Sequence, residues 1–152
     1  MIKRTRTPCV GICSTTYGDE VCRGCKRFSF EVINWNAFNS EEREAVWKRL
    51  EKLKSQIMSS RLEVLDSNKL SQGIKDFRLK VKDDLNDFSK AFEIIKQASE
   101  SFKSLDDFGI NLFNKDKTLT ALKEEIEREL YILSKAHFEK YFVEPMNRKK
   151  IK

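Results

Sequence analysis

Four cysteines lie within the first 25 residues of this 152-residue chain, and the rest of the sequence contains none. They form two close pairs, Cys9-x3-Cys13 and Cys22-x2-Cys25, with eight residues between the pairs. Four thiolates at this spacing can converge on one tetrahedral metal ion, with Zn–S bonds of about 2.3 Å. The spacing therefore predicts a metal site formed by all four cysteines. A closed four-ligand site leaves no position for a substrate, which favours a structural role.

The start of the chain bears on the choice between metal ligands and disulfides. It reads Met1-Ile2-Lys3-Arg4-Thr5-Arg6-Thr7 and lacks the apolar stretch of a secretory signal peptide, so we expect a cytoplasmic protein. In a reducing compartment, paired cysteines are more often metal ligands or redox groups than structural disulfides. No segment approaches the roughly 20 apolar residues that span a bilayer, and we expect no membrane association.

Three chemistries compete for the four thiols. A structural zinc site needs only four thiolates in tetrahedral geometry. An iron–sulfur cluster also takes four cysteines, and the positive charges of Arg23, Lys26 and Arg27 would offset the negative charge of either centre. A redox pair would use Cys22 and Cys25, with Arg23 lowering the pKa of the thiol. The redox pair is the weakest of the three, because no strand precedes it as in thioredoxin-like motifs, and the spacing slightly favours zinc over iron.

The chain is basic, with 30 Lys and Arg against 24 Asp and Glu and a formal net charge of +6. The excess lies at the two ends, in residues 1–27 and 144–152. Short basic termini are usually solvated tails. Weak, salt-sensitive binding to nucleic acid is an alternative, although no stripe of aromatic and basic residues accompanies the charge.

Glycine and turn residues mark the region of the cysteines as a distinct module. Three of the five glycines fall in residues 8–25, which indicates a turn-rich metal knuckle. Directly after it, Ser29 is expected to cap a short helix. The apolar positions of that helix, which we expect to pack against the knuckle, are Val32, Ile33 and Trp35.

Helical signals dominate the remaining sequence. Asn39 and Glu42 form a capping box that predicts a helix through about Ser59. Thr118 can cap a last helix that ends before Pro145. Between them, apolar residues recur at steps of three and four over about residues 66–105, which predicts one long helix in a coiled-coil or bundle seam. The seam consists of Ile74, Phe77, Val81, Phe88, Ala91, Ile95, Ala98, Phe102 and Leu105.

The predicted fold is therefore mainly α, with two domains. Residues 1–59 would form the four-cysteine knuckle packed on two helices, and residues 60–152 a long antiparallel helical hairpin with a basic C-terminal tail. An exposed aromatic seam on such a hairpin would dock a protein partner or a second copy of the chain. The simpler alternative is that the seam is an ordinary bundle core.

Apart from the cysteines, the sequence contains no constellation typical of catalysis. His137 is the only histidine, and there is no glycine-rich phosphate loop and no H-x-E deaminase signature. Glu41, Glu42 and Glu44 lie at a predicted helix N-terminus, where they complement the helix dipole. The sequence therefore does not support enzymatic activity.

The N-terminal third of the chain resembles a known family. The motifs are Pro8-Cys9-Val10-Gly11-Ile12-Cys13, Val21-Cys22-Arg23-Gly24-Cys25-Lys26-Arg27, and Glu31-Val32-Ile33-x-Trp35 followed by Glu41-Glu42-Arg43. Over about residues 7–52 they resemble the small bacterial domain-of-unknown-function family 1289, often labelled a predicted Fe–S protein of the YdhL type. The resemblance implies metal binding by the four cysteines without deciding between zinc and iron. It carries over Arg27 and Trp35 without roles; physically, Arg27 can donate to a thiolate or to backbone, and Trp35 can roof the site.

Together these observations favour a cytoplasmic, non-catalytic protein that binds one metal centre and acts as an adaptor. An iron–sulfur protein for electron transfer is the first alternative, and a weak nucleic-acid binder is the second. The knuckle alone is too small to bury a core, so we expect its folding to depend on the metal.

Overall fold

The structure of the protein, a computed structural model, describes residues 7–9 and 13–143. This part of the chain is mainly helical, which confirms the predicted class, and contains five α-helices and one two-stranded sheet. The helices are α1 (Ser29–Asn34), α2 (Ser40–Ser59), α3 (Ser67–Asp76), α4 (Asp87–Ala98) and α5 (Leu119–Phe138). The strands are β1 (Leu62–Val64) and β2 (Ile110–Leu112). None of the described helices has the length and apolar character that a membrane crossing requires.

Local capping explains where α2 and α5 begin. The Glu42 amide donates to Asn39 Oδ1 at 2.8 Å, and the Asn39 amide donates to Glu42 Oε1 at 3.0 Å. This confirms the predicted capping box, and α2 ends at Ser59 as predicted. At α5, the Ala121 amide donates to the Thr118 hydroxyl at 3.1 Å. Side chains thus satisfy amides that a helix start leaves without an intrahelical partner.

The predicted cap and packing of α1 are wrong in two details. Ser29 is the first residue of the helix and Phe28 occupies the cap position. The Phe28 amide donates to Glu31 Oε1 at 2.8 Å, so a carboxylate and not a serine hydroxyl organises this end. Trp35 is buried as expected, but Ile33 is 77% exposed and does not pack into the interior.

The predicted continuous helix over about residues 66–105 is also wrong, because α3 ends at Asp76 and α4 begins only at Asp87. Arg78 has a φ of 55°, in the left-handed region that ends helices. The Asn86 side chain then accepts the Ser89 amide at 2.8 Å and starts a new helix. The antiparallel hairpin that required this long arm is not confirmed.

A small antiparallel sheet occupies positions that the sequence did not predict as strands. β1 and β2 pair in the register Leu62 with Leu112, Glu63 with Asn111 and Val64 with Ile110. Gly109, at a φ of 66°, makes the turn into β2, and a Cβ there would lie 3.0 Å from the Asp66 carbonyl oxygen. The segment between the predicted helix over about residues 66–105 and the helix capped by Thr118 therefore contains a strand.

The described residues group into two compact units by their packing. One comprises the chain up to Leu50 together with the residues from Leu130, and the other comprises Glu51–Glu129. In the first unit, the buried core contains Trp35, Val46 and Leu50, with Phe38 and Trp47 packed against it. In the second unit, the most buried apolar side chains include Met58, Leu62, Leu70, Ala91, Ile94, Ile95, Leu105, Phe108 and Ile126.

Candidate metal centre

The structure places Cys22 and Cys25 together in a tight loop. An isolated antiparallel bridge between Val21 and Phe28 closes the loop, and the Cys22 amide donates to the Arg27 carbonyl oxygen at 2.9 Å. Both cysteines are buried. Backbone hydrogen bonds around the loop therefore stabilise the position of the second cysteine pair, Cys22 and Cys25.

Lys26 binds the backbone of this loop with its own side chain. It has a φ of 68°, in the region that glycine adopts most easily, and only 2% of the residue is exposed. Its ammonium group donates to the carbonyl oxygens of Arg23 and Gly24. Because a trans peptide directs its carbonyl and its N–H to opposite sides, the amides of Gly24 and Cys25 point away from the ammonium.

Those amides support the sulfur of Cys22. Burial opposes ionisation of this thiol, but amide donors from Cys25, Ser14 and Gly24 and a hydrogen bond with the Cys25 side chain lower the pKa of Cys22 to about 7. The thiolate is the form of cysteine that binds metals. The loop is therefore built to stabilise a negative sulfur at this position.

Cys25 lies in a different environment from Cys22. Burial raises the pKa of the Cys25 thiol, and the hydrogen bond and charge of Arg27 oppose that shift. Arg27 Nε donates to Cys25 Sγ at 3.2 Å, which is the contact with sulfur that the sequence suggested. Of the two thiols, Cys22 therefore ionises more readily than Cys25.

Cys9 and Cys13 lie closer to the surface than the other two cysteines. Cys13 is half-buried and Cys9 is exposed. The Thr15 hydroxyl, 2.9 Å from Cys13 Sγ, lowers the pKa of Cys13, while the nearby charge of Cys22 acts to raise it. Cys22 therefore interacts electrostatically with Cys13 as well as with Cys25.

The described residues contain no group of three or more Cys, His, Asp or Glu side chains arranged to hold a metal ion. Within them, a hydrogen bond joins Cys22 to Cys25, and Cys13 interacts electrostatically with Cys22. Residues 10–12, which connect the first pair, lie outside the described part of the chain. The four-cysteine site stays a prediction.

Two guanidinium groups contact the ring of Trp35. Arg27 Cζ lies 4.9 Å from the ring centroid and Arg43 Cζ 5.8 Å from it. Arg43 also donates to the carbonyl oxygens of Trp35 at 2.9 Å and Asn36 at 3.2 Å. The two arginines share one ring but have different acceptors, which are a cysteine sulfur for Arg27 and the main chain for Arg43.

An ion pair that the sequence did not predict fixes the loop to α2. Arg49 donates to both carboxylate oxygens of Glu31, at 2.5 and 2.7 Å. Its guanidinium lies 4.0 Å from the ring centroid of Phe28, the residue that closes the cysteine loop. Glu31 belongs to the motif that carries the family resemblance, whereas nothing in the sequence around Arg49 indicated a partner 18 residues earlier.

The other candidate residues are His137 and the glutamates at the start of α2. The His137 ring packs against Tyr141 with centroids 4.6 Å apart and against Phe28 at 6.4 Å. Glu41 and Glu42 lie in the first turn of α2, as predicted for residues that complement a helix dipole.

Arg23 contacts an acidic and an aromatic side chain. Its guanidinium pairs with Asp19 at 3.3 Å and lies 4.6 Å from the centroid of the Tyr131 ring. Its side chain is 66% exposed. Of the three basic residues around the second cysteine pair, Arg27 therefore contacts sulfur and Lys26 contacts the loop carbonyls.

Comparison with known proteins identifies one family. Residues 7–54 match the family described as a protein of unknown function (DUF1289), which confirms the resemblance over about a third of the chain. The matched segment contains the four cysteines as well as Arg27, Glu31, Trp35 and Arg49. No curated protein and no solved structure matches the chain.

Proposed function

We propose that this protein is a non-catalytic metal-binding adaptor in which Cys9, Cys13, Cys22 and Cys25 hold one zinc ion. The observation that carries the proposal is the loop from Cys22 to Cys25. Backbone amides converge there on a buried sulfur and lower its pKa to about 7. Groups that hydrogen-bond to a metal ligand orient it and tune its basicity, and such partners are a regular part of metal sites.

The remaining two ligands would complete the site from the preceding segment. Cys13 already interacts with Cys22, and Cys9 precedes Cys13 by four positions in the sequence. In this proposal Cys22 and Cys25 form the fixed half of the site, while Cys9 and Cys13 close over the metal. Binding would displace the protons that the thiols carry, so metal affinity would fall with decreasing pH.

The donor set and the surrounding charge suit zinc. Four thiolates around Zn²⁺ carry a net charge of −2, and the buried Arg27 together with Lys26 offsets part of it. A closed tetrathiolate has no open coordination position, so its contribution is to folding and not to a reaction. This is the physical reason for proposing an adaptor and not an enzyme.

An adaptor requires a partner, and binding of a protein partner or of a second copy belongs to this proposal. The apolar seam of residues 74–105 suggested the partner surface, but much of it is buried in the structure. Its buried residues include Ala91, Ile95, Ala98 and Leu105. Phe77, at 43% exposed, is the seam residue left most accessible among the large apolar side chains. Light scattering of the purified protein would test self-association directly.

An iron–sulfur cluster is the second candidate, for electron transfer. The observation in its favour is the set of amide and guanidinium donors to sulfur, because hydrogen bonds to cysteine sulfurs set the reduction potentials of clusters. The donor atoms would be the same four sulfurs. Zinc remains the first choice because the spacing of the ligands slightly favours it.

Elemental analysis and a visible spectrum test both candidates. The protein would be purified anaerobically without added metal. One equivalent of zinc with no visible absorbance supports the adaptor, and iron with sulfide and a band near ~400 nm supports the cluster. Protein that contains neither metal, and that takes up neither zinc nor iron on addition, contradicts both.

A cysteine variant separates binding at this site from adventitious binding. Cys22→Ser removes the sulfur that the amides support, so we expect it to abolish metal binding and to unfold residues 7–27 while the helices remain. NMR spectra of the two proteins would show which resonances change. An unchanged set of resonances from residues 13–27 in the variant would contradict the proposal.

A further inference from the structure

Arg27 is a buried cation whose hydrogen bond goes to sulfur. Only 3% of the residue is exposed, and its Nε donates to Cys25 Sγ. Arginine keeps its charge at every pH that proteins encounter. Among the described residues, Arg23 and Arg49 each pair with a carboxylate, and Arg27 forms no such pair.

A buried guanidinium without a carboxylate is unfavourable unless another anion compensates its charge. The acceptor that the structure gives to Arg27 is the sulfur of Cys25, at 3.2 Å. A metal-bound thiolate at this position would supply the anion that the buried Arg27 lacks. Metal coordination is what would keep a thiolate at so buried a position.

Trp35 holds the guanidinium in place. The ring lies 4.9 Å from Arg27 Cζ, within the distance at which a guanidinium is attracted to an aromatic face. Trp35 itself packs into the core with Val46 and Leu50. The position of the charge next to Cys25 is therefore set by the hydrophobic core of this unit and not by a flexible side chain at the surface.

We propose that Arg27, positioned by Trp35, compensates the negative charge of the metal–thiolate centre and holds Cys25 as one of its ligands. This inference rests on the proposed metal-binding function. Arg27 touches a ligand and not the metal, so it is a positioning residue. Removing its charge should weaken metal binding and raise the energy of the electrons on the Cys25 sulfur.

Co²⁺ added to the full-length protein tests the inference, because its thiolate complexes absorb visibly and in the near ultraviolet. We expect Arg27→Met to bind Co²⁺ about 10- to 100-fold more weakly, the usual range for loss of a group that supports a metal ligand. The sulfur-to-cobalt charge-transfer band of the variant should move to lower energy, since the sulfur electrons are no longer stabilised by a positive charge.

Arg43→Met is the matched control. This variant removes the other guanidinium that contacts the Trp35 ring. Arg43 donates to main-chain oxygens and not to a sulfur. The substitution should reduce stability without moving the charge-transfer band. Arg27→Lys keeps the charge and should recover most of the lost Co²⁺ affinity, which a purely steric role of Arg27 would not predict.

The outcomes separate this inference from the function on which it rests. Wild-type protein without a thiolate–cobalt band contradicts the metal site itself. Wild-type protein with the band, together with an Arg27→Met variant of equal affinity and band position, contradicts only the role of Arg27. If circular dichroism shows that Arg27→Met does not fold, the Arg27→Lys variant decides. A folded Arg27→Lys variant with nearly the Co²⁺ affinity and band position of the wild type supports charge compensation. A folded Arg27→Lys variant that has lost the Co²⁺ affinity and the band contradicts it.

Discussion

Arg49 and Glu31 form a two-pronged ion pair that anchors the cysteine loop to α2. Glu31 is only 4% exposed, and its Oε1 accepts both an Arg49 Nη2 hydrogen bond at 2.7 Å and the Phe28 amide at 2.8 Å. The Arg49 guanidinium also covers the Phe28 ring at 4.0 Å. The Glu31 carboxylate thus connects Phe28, at the end of the cysteine loop and the start of α1, with Arg49 in α2.

Arg49→Met should destabilise the protein by about 3 kcal/mol, at the lower end for breaking a buried pair because the Arg49 side chain is 18% exposed. The physical reason is that the Glu31 carboxylate would remain buried without its cation. Urea unfolding at neutral pH measures the change. The exposed Lys48→Met on the same helix is the control and should stay within about 0.5 kcal/mol of the wild type; a similar small loss in Arg49→Met would contradict the prediction.

Gly73→Ala should destabilise the protein although alanine is the better helix former. An added Cβ would lie 2.6 Å from Phe108 Cδ1, and Phe108 is fully buried. Overpacking should cost about 1–3 kcal/mol and the better helix propensity of alanine should return about 1 kcal/mol, so we expect a net loss of up to about 2 kcal/mol. Thermal unfolding of this variant, and of Gly73→Ala with Phe108→Leu, tests the cause. The double variant should be less destabilised than the sum of the two single variants.

Acid should remove a stabilising contribution of Glu125. The hydrogen bond from Lys117 and the charge of Arg61 lower the pKa of this carboxyl against the effect of burial. A folded-state pKa below that of the unfolded chain gives stability that is present above the unfolded pKa of about 4.3 and is lost as the pH falls through the folded value. At pH 7 the wild type should therefore unfold at a higher urea concentration than the Glu125→Gln variant. This difference between the two unfolding midpoints should disappear at strongly acidic pH. A difference that persists there would contradict this.

Lys26→Met should weaken metal binding through the backbone. The variant keeps the apolar length of the side chain and removes the ammonium that binds the carbonyl oxygens of Arg23 and Gly24. Without that ammonium, the amides of the loop lose their fixed direction towards the Cys22 sulfur. We expect about a tenfold loss of Zn²⁺ affinity, measured by competition with a chromophoric chelator. Lys48→Met again serves as the control, and equal affinities of the two variants would refute the proposed role of Lys26.

Local signals were sufficient to predict α2 and α5. The Asn39–Glu42 capping box and the Thr118 cap act within four residues, so they can be read directly from the sequence. The break between α3 and α4 could not be read in this way. The apolar repeat is compatible with one long helix or with two shorter ones, and only the fold places Arg78 in the left-handed region. Strands of three residues are too short to show a period.

One part of the candidate site could also be predicted from the sequence, and another part could not. Spacing singled out the second cysteine pair, and its loop is the one that the structure organises around a sulfur. The Arg49 contribution depends on a tertiary contact between α1 and α2, and a charged residue on a helix usually indicates only a solvated face. Lys26 was predicted as a charge near the sulfurs, whereas its role in the fold is to bind carbonyl oxygens.

The arginine beside Cys25 has a consequence for how the site would respond to its surroundings. A histidine or a buried lysine in that position would gain or lose its proton as the acidity changes, and the electrostatic potential at the sulfur would change with it. A guanidinium does neither, so the contribution of Arg27 to the potential at Cys25 stays constant across the physiological range. The response of the proposed centre to acid would then come from the cysteine sulfurs and not from this arginine.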